Sequence, residues 1–170
     1  IGLEQRMSPC LVPTVSPLGQ LEGGTNMIVI EGDQVGQIVL RGAGAGEGPT
    51  ASAVISDIVD IARGISLATF GQPAKTLKNA SSSKSQTPAP YYLRMLLHDE
   101  PGALAKITKI LSQFNVSIDR MRQYGHEDEN APVLIVTHEI SHEDLMTAIK
   151  ELPNTKVLKA QPLAIRIEAV

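Results

Sequence analysis

The string His138-Glu139-Ile140-Ser141-His142 has the residue types of a zinc peptidase: two imidazoles to hold a metal and a carboxylate to activate its water. That chemistry needs both histidines a turn apart on one helix. Here the apolar run Val133-Leu134-Ile135-Val136 makes His138 the end of a strand. Ser141, with Asp144 three positions on, reads as the N-cap of the following helix. The two imidazoles then straddle a turn, no third ligand is suggested nearby, and no metal is expected. The acidic cluster His126-Glu127-Asp128-Glu129-Asn130 lacks the ligand spacing and the central glycine of a calcium loop, and reads as a solvated hairpin turn.

Two glycine-bearing joints have chemistry of another kind. In Gly42-Ala43-Gly44-Ala45-Gly46-Glu47-Gly48-Pro49, glycines at every second position let the backbone approach a ligand closely, and the helix that follows points free N–H groups at it. The spacing is neither that of a P-loop nor the G-x-G-x-x-G of a dinucleotide fold, so a tight strand-to-helix turn explains it equally well. In His98-Asp99-Glu100-Pro101-Gly102-Ala103-Leu104, Pro101 and Gly102 join a strand to a helix whose first amides can hold a carboxylate. Asp99 can balance an α-ammonium group, and Asn115, just past that helix, can offer amide hydrogen bonds. A zwitterionic amino acid suits such a site. The plainer alternative is that Asp99 caps the helix and Asn115 ends it.

The elements that must position these joints follow from periodicity. Residues 1 to about 64 give a proline-punctuated opening, strands at Asn26–Glu31 and Gln37–Leu40, the glycine loop, and a helix. That helix has Val54, Ile55, Ile58, Ile61 and Ala62 on one stripe and ends at Gly64. One hairpin and one helix do not bury a core, so this part is expected to be the tail of a larger fold. Residues 65–90, rich in Ser, Pro, Lys and Ala, read as a flexible linker stiffened at Pro88-Ala89-Pro90. Residues 91–170 give strand Tyr91–His98, helix Gly102–Phe114, strands Ser117–Tyr124 and Pro132–His138, and helix Ser141–Leu152. A last strand runs from Lys156, is broken at Pro162 and resumes over Leu163–Glu168. The order βαββαβ predicts a ferredoxin-like domain, and the whole chain an α+β fold.

The 170 residues carry a formal net charge of -3, with two Phe, three Tyr and no Trp. No basic patch and few stacking rings argue against a nucleic-acid partner. No apolar run approaches the roughly twenty residues of a membrane span. The single cysteine, Cys10, excludes a disulfide framework and fits a reducing cytosol. With Ile1 at its start, the chain reads as a piece of something longer.

Asp99-Glu100-Pro101-Gly102-Ala103-Leu104-Ala105 on a βαββαβ frame resembles the ACT domain, a small-molecule sensor that usually binds amino acids where two such domains pair. The resemblance covers 91 to about 168. It implies an effector site at Asp99, Pro101, Gly102, Ala103, Leu104 and Asn115, and homo-oligomers formed through ACT pairing. Upstream, Arg6-Met7-Ser8-Pro9-Cys10-Leu11-Val12-Pro13, Glu31-Gly32-Asp33-Gln34-Val35-Gly36 and the string from Gly42 to Val54 resemble the end of the catalytic region of homoserine dehydrogenases. That family implies NAD(P)-dependent interconversion of L-homoserine and L-aspartate 4-semialdehyde, feedback control by L-threonine, and Gly46 against the cofactor with Gly44 and Ala45 beside it. The family's nucleotide-binding half, metal loop, substrate-binding acids and catalytic lysine are expected before Ile1, and Lys75, Lys78 and Lys84 are no substitutes. No catalytic residue is therefore assigned here, and the piece alone is expected to be inactive. The alternative is a non-catalytic ACT module that only dimerises and binds nothing.

Overall fold

The alternation along Tyr91–His98, buried at every odd position and half-buried or exposed at every even one, organises the larger of two units. In the computed structural model, which describes residues 2–68, 70–83, 87–124 and 130–168, the elements in chain order are β1 (Cys10–Leu11), β2 (Thr25–Gly32), β3 (Gly36–Ala43), α1 (Glu47–Ala62), β4 (Tyr91–His98), α2 (Ala103–Gln113), β5 (Ile118–Gln123), β6 (Asn130–Thr137), α3 (His142–Glu151) and β7 (Leu163–Ile167). Contacts divide the chain into one unit of Ile1–Val12 with Ser82–Ala169 and another of Pro13–Ser81.

The larger unit is built on a sheet of order β1-β7-β4-β6-β5. Its last four strands have the ferredoxin-like order, all antiparallel neighbours, with the two helices on one face. Leu93, Met95 and Leu97 of β4 and Val133 and Ile135 of β6 meet Ile107 and Leu111 of α2 and Leu145 and Ala148 of α3 in a core that excludes water. The fold is α+β, as the periodicity predicts. Ser141 caps α3 in the expected way: its Oγ accepts from the Asp144 amide at 3.1 Å and donates to Asp144 Oδ2 at 2.6 Å.

Three expectations change. The segment from Lys156 is not the first half of a strand. A 3-10 turn over Leu152–Thr155 delivers Lys156 with φ +59°, outside the extended region, and only Leu163–Ile167 pairs as a strand. Residues after Lys156 still tie to the sheet, since the His98 amide donates to Val157 O and the Lys159 amide to Leu96 O. Next, the stretch expected to be linker up to residue 90 is partly built into this unit. Ala89 is buried and exchanges both backbone hydrogen bonds with Ile140. Finally, the opening residues, expected to lie with the hairpin and helix, add β1 in parallel to β7, pairing Cys10 with Arg166 and Leu11 with Ile167. The hairpin turn expected at 126–130 falls outside the described residues except Asn130.

The smaller unit is the predicted hairpin and helix. β2 and β3 pair in full register from Thr25–Ala43 to Gly32–Gly36. No residue of α1 is buried, and Val54, Ile55, Ile58 and Ile61 are all more than half exposed. This unit therefore has the amphipathic pattern without a core of its own. Among the described residues no helix is long and apolar enough to cross a membrane.

Because Ile107 is fully buried between sheet and helices, Ile107→Ala leaves a cavity as well as losing transfer energy. Urea unfolding followed by circular dichroism is expected to show a loss of about 2–5 kcal/mol in the larger unit.

Candidate functional site

The strand-to-helix joint after β4 does form a cavity. Gly102 stands at the N-cap of α2 with φ +85°, a left-handed conformation that suits glycine. It lets the chain reverse within Asp99–Gly102 and present the first turn of α2 to the end of the sheet. The resulting space, about 290 Å³, is lined by Asp99, Gly102, Ala103 and Leu104 together with Gln123 and Ala131. Around its mouth Lys106 pairs with Glu100 at 3.0 Å. A Cβ at Gly102 would meet nothing within 4 Å, so the conformation alone, and not crowding, selects glycine there.

Of the residues singled out in the sequence, the structure brings four to this cavity, while Pro101 lies in the joint without lining it. Asn115 is not there. It follows the C-terminus of α2, whose 11 residues put roughly 16 Å between the two helix ends. Asn115 has φ +57°. Its amide donates to Ser112 O and that of Val116 to Leu111 O, the paired bonds of a Schellman stop. It ends the helix, as the plainer of the two readings has it.

Gly44 and Gly46 each answer to a constraint inside the smaller unit. Gly44 lies so close to Asn26 that a Cβ there would stand 1.4 Å from Asn26 Nδ2. Gly46, at the N-cap of α1, has φ +121°, and its Cβ position faces only the Pro49 ring at 3.4 Å. Gly42, Ala43 and Gly44 line one side of a shallow depression with Asn26 and Arg41, which Ala45 and Gly46 do not reach. Lys75 and Lys78 lie in the smaller unit and Lys84 outside the described residues.

A second group of polar residues, at the opposite end of β4, is not among the candidates read from the sequence. Arg166 of β7 is 7% exposed. Its Nε donates to Glu168 Oε1, and its Nη1 donates to Thr87 O at 3.0 Å and to the Tyr91 hydroxyl at 3.4 Å. Burial pulls the Arg166 pKa down, but hydrogen bonds to Tyr91 and Glu168 outweigh it and hold the value above the ordinary one. The Tyr91 hydroxyl also meets His142 Nδ1 at 3.2 Å, so the second histidine of the zinc-like string is turned to a tyrosine. Arg6 Nη1 donates to the same Glu168 oxygen at 3.2 Å, and Arg6 Nη2 pairs with Glu4. Glu4 Oε2 accepts the Thr87 amide at 2.9 Å and its hydroxyl at 2.8 Å. Those two hydrogen bonds, aided by Arg6, lower the Glu4 pKa to about 2. The signal in the sequence was slight: an arginine at an inward-facing strand position, paired across the sheet with Tyr91.

The frame and the joint define a class first: residues 91–154 match the ACT domain family. Residues 1–59 match the family described as homoserine dehydrogenase. The chain is 34% identical to a homoserine dehydrogenase of Neisseria gonorrhoeae over 99% of its own length and 41% of that protein's. It is 36% identical to one of Helicobacter pylori, over 98% and 39%. A crystal structure of the Thiobacillus denitrificans homoserine dehydrogenase superposes with a TM-score of 0.81 at 30% identity, over 95% of this chain and 38% of that one. Together these matches make the chain similar to a portion of homoserine dehydrogenase that joins the end of the catalytic region to an ACT domain. It spans about two-fifths of the length of the curated relatives it matches.

Glu4 ties residues 2–12 to Thr87 only while ionised. With its folded pKa near 2 below the unfolded value, its contribution is complete above about pH 4.5 and is lost as pH falls toward 2. Glu4→Gln is therefore expected to lower the melting temperature at pH 7 and to converge on the unsubstituted chain near pH 2, as read by thermal melts across that range.

Proposed function

We propose that this chain serves the NAD(P)-dependent interconversion of L-homoserine and L-aspartate 4-semialdehyde, as the part of the enzyme that closes the catalytic region and carries its amino-acid sensor. The observation that carries the proposal is the joint at Gly102, a cavity of about 290 Å³ at the mouth of α2 in a domain of the ACT family. First-turn amides there suit a carboxylate, Asp99 suits the ammonium group of the same ligand, and Ala103 and Leu104 leave room for a small side chain. L-Threonine, an end product of the pathway that the family's reaction feeds, is the effector this reading selects.

At the other joint, Gly44, Ala45 and Gly46 give the catalytic region a stretch of backbone without bulky side chains. The cofactor, when bound, supplies or accepts the hydride. This chain's contribution is to let the nicotinamide approach and to present the N-terminus of α1 toward it. No residue here is assigned proton transfer.

Control by threonine requires that it bind two states of the enzyme unequally. Pairing of ACT domains between subunits supplies such states. The even-numbered residues of β4 and β6, among them Tyr92, Leu96, Leu134 and Val136, form a sheet face that is half-buried or exposed, and among the described residues no element of the larger unit covers it. That apolar face also favours a second reading, in which the domain pairs and binds nothing. A reducing cytosol fits the lone Cys10 in either case.

Calorimetric titration of the chain with L-threonine, with L-serine and L-homoserine as controls, separates the two. Saturable, threonine-selective heat is expected, and it is expected to vanish in Gly102→Leu, which forces a branched side chain into a left-handed conformation and into the cavity. Melting that depends on protein concentration but not on threonine, in the chain and in the full-length enzyme alike, supports the pairing module instead.

A further inference from the structure

The cavity at the start of β4 is larger than the one at its end and has no role in the reading above. It measures about 500 Å³, within the range of small-molecule sites. Its apolar lining comes from Pro9, Leu163, Ala164 and Ile165, and its polar lining includes Arg6, Tyr91, His142 and Arg166. All of these residues belong to the larger unit. Eight residues of β4 at about 3.3 Å each put this site more than 20 Å from the joint at Gly102.

The decisive group is Arg166. Its guanidinium has five N–H donors. Those on Nε and Nη1 are taken by Glu168, Thr87 and Tyr91, whereas the two on Nη2 have no acceptor among the described residues. A cation 7% exposed on the wall of a cavity, with half of its terminal fork unused, is built to receive an acceptor with two oxygens. The local charge sets how much negative charge that acceptor can bring. Arg6 and Arg166 are already balanced by Glu4 and Glu168, so a monoanion is accommodated more readily than a dianion such as phosphate. The apolar wall specifies the remainder of the guest.

We propose that this cavity is a second small-molecule site, one that takes a monocarboxylate with a compact aliphatic body, its carboxylate on Arg166 Nη2 and its alkyl group against Pro9 and Ala164. Residues 2–12 complete the site through Arg6 and Pro9, so the strand added by β1 doubles as one wall of it.

The test is calorimetric titration of the chain with 4-methylpentanoate and with its uncharged counterpart, 4-methylpentanamide. Saturable binding of the acid is expected, with the amide at least about tenfold weaker, a difference worth about 1.4 kcal/mol. Pro9→Trp, at an exposed position on the cavity lining, is expected to fill the cavity and abolish binding while leaving the thermal melt near that of the unsubstituted chain. Arg166→Lys, which keeps the charge and loses the fork, is expected to weaken the acid toward the level of the amide. Should that variant fail to fold, Pro9→Trp still decides. Gly102→Leu is expected to leave acid binding unchanged, so this site stands or falls separately from the threonine site. Equal binding of acid and amide, full binding by Pro9→Trp, or no saturation at millimolar acid overturns the proposal.

Discussion

Everything in the larger unit depends on one face of one strand. β4 lies in the middle of the sheet, paired with β6 on one side and β7 on the other, and its inward residues Leu93, Met95 and Leu97 are at most 2% exposed. A one-residue slip in either pairing would exchange that face for Tyr92, Arg94 and Leu96. Register is therefore set by burial, and with it the location of both ends of the strand. The end at His98 opens the joint to α2. The end at Tyr91 meets α3 and β7. Both cavities of the unit are thus consequences of where a central hydrophobic strand starts and stops.

Arg166 shows the same constraint from its polar side. It faces inward opposite Tyr91, at a position where an aliphatic residue would be ordinary. A buried guanidinium is tolerated only with partners, and these come from distant parts of the chain: Glu168 beside it, Thr87 before β4 and Tyr91 within β4. Glu168 in turn accepts from Arg6, and Thr87 donates to Glu4. One buried charge thereby recruits residues near 4–6 and 87 into the unit, where β1 adds its two-residue pairing to β7. A strand of two residues contributes little alone. The ionic and hydrogen-bonded cluster gives it a reason to be there.

What could be read from the sequence was whatever is local or strictly periodic. The alternation of β4, the stripes of α2 and α3, the Ser141 cap and the hairpin of β2 and β3 each follow from a few consecutive residues, and the βαββαβ order follows from them. The pairing of Cys10 and Leu11 with β7 does not, because it joins residues more than 150 positions apart and leaves no pattern in either segment. The stretch after Lys156 looked extended by composition, yet a tight turn fed it a left-handed residue that no propensity announced. The site was legible to a similar degree. Asp99, Gly102, Ala103 and Leu104 meet because they are neighbours along the chain. Asn115, beyond the far end of α2, does not line that cavity.

The glycines show how a single residue type carries unlike information. At Gly44 a side chain is excluded by Asn26, so the protein's own packing already demands glycine there. At Gly102 the Cβ direction is open and only the backbone angle demands glycine. Empty space beside a left-handed turn at a helix mouth is room that the fold does not fill, on the edge of a cavity already holding a carboxylate from Asp99. Of these two glycines, Gly102 is the one whose open Cβ direction borders a cavity of its own unit, while the space beside Gly44 is filled by Asn26.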